Sequence, residues 1–142
     1  IEVLDDTYNA NPSSMAAALE ALSDRPGPGV RIAALGAMLE LGETATALHR
    51  ETGECAGRHG VTHLFARGPH AEDLVAGAEA AGVPHAEVIG EHQAMAEAVR
   101  AAGAGGGVLL VKGSRGMQME KVINALEGAE LGKNVPTAPP VS

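Results

Sequence analysis

One alternation constrains this chain more than anything else in it. Short runs rich in Val, Ile and Leu take turns with longer runs whose apolar residues recur at helical spacing. The strand-type runs read as Ile1–Leu4, Val30–Leu35, Val61–Ala66, His85–Ile89 and Val108–Val111. Met15, Ala18, Leu19 and Leu22 form one helical stripe, and Leu41, Ala45, Leu48, Thr52 and Cys55 a second. Leu74, Val75 and Ala78 follow the same period less fully, as do Met95 and Val99, and Met119, Val122, Ile123 and Leu126 give the clearest stripe. Apolar strands alternating with helices predict βαβ units and a mostly parallel sheet covered on both faces. The expected fold is a three-layer α/β/α domain over residues 1–130.

The punctuation agrees. Asn11-Pro12 reads as a helix cap followed by proline at the first helical position. Gly60, Gly82 and Gly128 sit where helices should stop. Pro26–Gly29 is a loop, and Gly103–Gly107 a flexible approach to the last strand. Residues 131–142 are Pro-rich without an apolar period, so a disordered tail is expected there. The chain opens on Ile1, in what reads as the middle of a strand, and is expected to be a piece of a longer protein.

Composition narrows the function. With 142 residues there is enough chain for one real core. The net charge of −8 argues against nucleic acid or an anionic membrane surface as the main partner, since both call for a basic face. No run approaches the length of a membrane span, and no signal-peptide pattern is present. The single cysteine, Cys55, rules out an internal disulfide and fits the cytoplasm. With one Tyr, one Phe and no Trp, the core must be built from aliphatic residues and Ala, small enough to let helices lie close.

In open parallel sheets, ligands bind beyond the carboxyl ends of the strands, so the loop after each strand is the place to search. Three such loops stand out. In "DDTYNANPSSM", Asp6 can accept from ribose hydroxyls, and Asn9 and Asn11 offer donor and acceptor together. A plain capping role explains Asn11 but leaves Asp6, Tyr8 and Asn9 without a purpose. In "LGAMLELGETATALHRE", the glycine after the strand allows close approach of another backbone. Glu43 there reads as an acid complementing a helix dipole, and His49 as a packing or hydrogen-bonding histidine rather than a base. In "VKGSRGMQMEKV", Lys112, Ser114 and Arg115 make the most cationic turn of the chain, set at a helix start that suits an anion. The alternative there is a solvated basic turn. No P-loop, GxGxxG fingerprint, zinc spacing or nucleophile elbow is present.

These three stretches, in this order and spacing, resemble the C-terminal domain of the Mur ligase family over residues 1 to about 128. The resemblance implies a Rossmann-like domain that closes over a central ATPase domain of the same polypeptide. The Tyr8-Asn9-Ala10-Asn11-Pro12 form points to the member that adds D-alanyl-D-alanine to UDP-N-acetylmuramoyl-tripeptide in peptidoglycan precursor synthesis. It implies that ATP activates the tripeptide carboxylate as an acyl phosphate, which the dipeptide amine attacks. ATP and Mg2+ would be bound mainly by the central domain, which this sequence lacks. By position, Asp6 would meet the ATP ribose, and Asn9 and Asn11 would line the nucleotide and interdomain cleft. Lys112, Ser114 and Arg115 would meet the incoming dipeptide, with Lys112 and Arg115 both open as holders of its carboxylate.

The sequence departs from the family at Ser13 and Ala37, where an acid is often found, and no essential carboxylate is assigned to the loop holding Ala37. No residue of this chain need act as a base; its part is to orient an amine near an electrophile built elsewhere, so the chain alone is expected to be inactive. Two other readings compete: the equivalent domain of a sister ligase, including the folylpolyglutamate enzymes, and a stand-alone α/β binding module.

Overall fold

The computed structural model describes residues 1–134, with side chains through Gly128. Five strands form one sheet: β1 (Glu2–Asp6), β2 (Val30–Gly36), β3 (His63–Arg67), β4 (His85–Val88) and β5 (Gly107–Lys112). They pair in the order β1-β5-β2-β3-β4, and every pairing is parallel. The helices are α1 (Pro12–Asp24), α2 (Ala45–Arg58), α3 (Ala71–Ala80), α4 (His92–Ala102) and α5 (Glu120–Asn134). All five strands and the α/β class expected from the alternation are therefore present.

The side-chain period of two divides the strands between two cores. On one face, Ala33 and Leu35 of β2, Leu64 of β3 and Leu110 of β5 meet Leu19 and Leu22 of α1, Ala56 of α2 and Leu74 of α3. On the other, Ile32, Ala34, Phe65, Leu109 and Val111 meet Met95 and Val99 of α4, Met119 just before α5 and Val122 of α5. Because both faces are covered, Ile32 to Met38 form an unbroken buried run. The connections after β1 and β2 thus pack on one face, and the helix after β5 packs on the other. Strand β5 lies between β1 and β2, so the chain diverges on both of its sides, the arrangement that opens a ligand crevice at the carboxyl rim.

Small residues set how closely the helices pack. A Cβ on Gly53 would lie 2.1 Å from the carbonyl oxygen of Leu74, and one on Gly77 would lie 2.0 Å from that of Arg50. The backbones of α2 and α3 therefore touch, which only glycine permits at these two positions.

Each strand differs from expectation by one or two residues at one end or both, and α5 by more at its end. Strand β3 starts at His63, because the N–H of Val61 closes the end of α2 on the carbonyl of Ala56 at 3.1 Å. Gly60 and Gly82 follow α2 and α3 with φ of 76° and 93°, the left-handed stop expected of them. Gly128 does not act this way: α5 continues to Asn134, into the first residues assigned to the tail. Residues 135–142 of that tail lie outside the described residues.

Candidate functional site

The β1 and β5 loops meet at the rim through one buried ammonium. Asp6 and Lys112 are register partners at the ends of their strands. Lys112 is 2% exposed, and its Nζ donates to Asp6 Oδ2 at 2.8 Å and to the Asn9 carbonyl at 2.9 Å. A lysine is buried here because both acceptors are within reach; without them its charge would be unsolvated. The Asp6 side chain remains 47% exposed, so this pair has a dry end and a wet end.

Asn11 begins α1 with a reciprocal cap. Its Oδ1 accepts from the Ser14 N–H at 2.9 Å, and its own N–H donates to Ser14 Oγ at 3.0 Å. The missing acid at Ser13 is therefore accompanied by a complete capping box, with Ser14 filling the place usually taken by Glu or Gln. Ser14 was not among the expected site residues, because the usual capping-box partner at that position is Glu or Gln. Asn9 is exposed on the same turn, and its main chain is fixed by Lys112.

Arg115 stands apart from Lys112. It is exposed, and its guanidinium carbon lies 4.9 Å from the ring centroid of Tyr8, which is 72% exposed. Ser114 is 6% exposed and turned inward. Its Oγ accepts from the Leu39 N–H at 2.8 Å, and its N–H donates to the Ala37 carbonyl at 3.1 Å. The β5 loop is thereby joined to the β2 loop as well as to the β1 loop.

The β2 loop is held from beneath by His49. This ring is fully buried; its Nε2 accepts from the Met38 N–H at 2.9 Å and its Nδ1–H donates to the Ala45 carbonyl at 2.6 Å. That pattern requires the neutral imidazole. Burial pushes the His49 pKa down, against the smaller upward pull of the Ala45 hydrogen bond. The ring also stacks on His70 at 4.9 Å between centroids. His49 is thus the hydrogen-bonding histidine that was expected. Gly36 serves close approach: a Cβ there would lie 2.7 Å from Met117 Cβ and 2.9 Å from Met119 Sδ.

Two further residues were not anticipated. Arg67 Nη1 and His92 Nε2 donate to the Met117 carbonyl at 2.5 and 3.0 Å, fastening the far end of the β5 loop to β3 and to the start of α4. Their positions, at a strand end and a helix start, were the available signal. A separate groove of about 380 Å³ runs along the outer flank of β1, lined by Val3, Leu4, Asp5, Asp6, Ala18, Ala21 and Leu110. It touches the rim only at Asp5 and Asp6 and carries no cation.

All six candidate residues, Asp6, Asn9, Asn11, Lys112, Ser114 and Arg115, lie at the β1 and β5 corner of one rim. What it presents outward is the half-exposed Asp6 carboxylate, Asn9, the Tyr8 ring and the Arg115 guanidinium. Lys112 and Ser114 are committed internally. The family model described as "Mur ligase, glutamate ligase domain" matches residues 1–115. The UDP-N-acetylmuramoyl-tripeptide–D-alanyl-D-alanine ligase of Bacillus subtilis is 31% identical over 89% of this chain and 28% of its own length. That of Escherichia coli is 35% identical over 88% of this chain and 26% of its own length. The crystal structure of MurF ligase from Thermotoga maritima in complex with ADP aligns with a TM-score of 0.74 and 30% identity, covering 94% of this chain and 30% of that one. The chain thus spans less than a third of the length of these relatives. With the rim motifs, the parallel sheet and these matches in agreement, the chain belongs to the Mur ligase family, as a C-terminal domain of that family.

Proposed function

We propose that this chain is the nucleotide- and substrate-contacting domain of a cytoplasmic, ATP-dependent ligase that adds D-alanyl-D-alanine to UDP-N-acetylmuramoyl-tripeptide. The names of the relatives and the ADP-bound neighbour support the substrates. Among the described residues, no helix is long and apolar enough to cross a membrane. The observation that carries the reading is the division of labour at the rim: an acidic-amide corner at Asp6 and Asn9, beside a cationic corner at Arg115.

Asp6 suits a ribose because Lys112 holds it in place while about half of its side chain faces water. Asn9 and Asn11 belong to the same turn, where Asn11 serves the helix and Asn9 faces outward. Arg115 suits the dipeptide carboxylate, since its guanidinium is a planar fork with its donors at the edge. Lys112 does not, because its ammonium is already enclosed. Ser114 contributes by shaping the loop through Leu39 and Ala37. Among the described residues, no three His, Cys, Asp or Glu side chains converge; in this reading Mg2+ is held mainly by a central domain of the same polypeptide.

The chemistry asked of this chain is orientation. The tripeptide carboxylate takes a phosphoryl group from ATP, the dipeptide amine attacks the acyl carbon, and phosphate leaves as the amine loses its proton. Holding the dipeptide by its carboxylate presents its amine to that carbon, and such orientation supplies several kcal/mol of the barrier. In the intact enzyme, D-alanyl-D-alanine should support ATP-dependent formation of the pentapeptide product, while D-glutamate and a diaminopimelate should not. Preference for either of those would assign the chain to a sister ligase.

A further inference from the structure

We propose that Tyr8 is the positioning residue for Arg115, presenting its ring face to the guanidinium so that the donor-bearing edge faces the incoming carboxylate. The proposal rests on the reading of Arg115 given above. Tyr8 is the chain's only tyrosine, in a sequence with one Phe and no Trp, and it is 72% exposed where the core makes no use of it. The guanidinium carbon of Arg115 lies 4.9 Å from its centroid, within range of a cation–π contact.

Both supports are fixed. Lys112 fastens Asp6 and the carbonyl of Asn9, on either side of Tyr8 in the chain. Ser114, next to Arg115, is bonded to Ala37 and Leu39, and its carbonyl accepts from the Met117 N–H at 2.8 Å. What remains free is the long Arg115 side chain itself, which without a surface to lie on would sample many rotamers. A ring face restrains it and leaves the guanidinium edge available, because a cation–π contact uses the face while a carboxylate pairs with the edge. The same contact links the turn assigned to the nucleotide with the loop assigned to the dipeptide.

The test has two parts. In the 142-residue chain, the Tyr8 ring protons are the only tyrosine resonances. They should show contacts to the Arg115 δ protons, which should be shifted upfield. Tyr8→Phe should keep that shift and Tyr8→Ala should abolish it. In the intact ligase, Tyr8→Ala should raise the dipeptide KM about three- to tenfold, with kcat and the ATP KM unchanged, and Tyr8→Phe should behave as wild type. If Arg115→Ala raises the dipeptide KM and Tyr8→Ala does not, the proposal fails while the role of Arg115 stands. A Tyr8→Ala effect on the ATP KM instead, or a Tyr8→Phe variant as impaired as Tyr8→Ala, also overturns it. An unchanged dipeptide KM in Arg115→Ala removes the underlying reading and the proposal with it.

Discussion

The ammonium of Lys112 donates to the carboxylate of its register partner Asp6 at 2.8 Å, so the ends of two neighbouring strands are joined by a charge pair with one partner buried and the other half in water. The two sides of this pair are not equivalent. Removing Asp6 leaves a buried ammonium with the Asn9 carbonyl as its one remaining partner in this arrangement, whereas removing Lys112 leaves a carboxylate that water can reach.

Asp6→Ala should therefore cost more stability than Lys112→Met, about 3 kcal/mol against about 1 kcal/mol. Methionine keeps most of the buried stem and removes the charge. Urea unfolding midpoints of the two variants check the order; equal midpoints would mean the ammonium is not enclosed as described.

Gly77→Ala tests the contact between α2 and α3. By helix propensity alone, alanine in place of glycine stabilises by about 1 kcal/mol. Here the added Cβ would lie 2.0 Å from the carbonyl oxygen of Arg50, so the helices must move apart. The expected outcome is a loss of about 2 kcal/mol, read as a lower thermal midpoint. A gain would show that α2 and α3 pack less closely.

Much of the fold was legible because it depends on period. The α1 stripe of Met15, Ala18, Leu19 and Leu22 is also its buried face. The α2 stripe was read less well: Leu41 precedes the helix, Leu48 is half-buried, and His49 and Gly53 are buried in their place. A histidine bonded at both nitrogens and a glycine touching another helix serve contacts that lie elsewhere in sequence. Gly128 looked like a stop, but a glycine stops a helix where it takes the left-handed conformation, as Gly60 and Gly82 do, and otherwise can continue one. At the rim, residue type placed Lys112 and Arg115 together as cations. Their separation into a buried strut and an exposed fork follows from register, since Lys112 pairs with Asp6 in the sheet and Arg115 lies beyond it.

Two histidines, His49 buried and His63 partly buried, make stability depend on pH. His49 and His63 both have pKa values lowered from 6.5, first by burial and also by a neighbouring histidine, His70 for His49 and His85 for His63. The unfolded chain therefore binds protons that the folded chain does not, so their contribution is present above pH 6.5 and is lost as pH falls below it. Each depressed group adds up to about 1.4 kcal/mol of loss per pH unit in that window. Urea midpoints taken from pH 7.5 to 5 should decline, and His49→Gln should start lower at pH 7.5 and decline less steeply. An identical slope in the variant would mean that His49 is not held neutral.

The measurement that bears most directly on the rim is the pattern of KM values in the intact ligase carrying Asp6→Asn or Arg115→Ala. The account predicts that Asp6→Asn raises the ATP KM about tenfold or more with little change for the dipeptide, and that Arg115→Ala does the reverse. Two substitutions that raise both KM values together, or that exchange these effects, would contradict it.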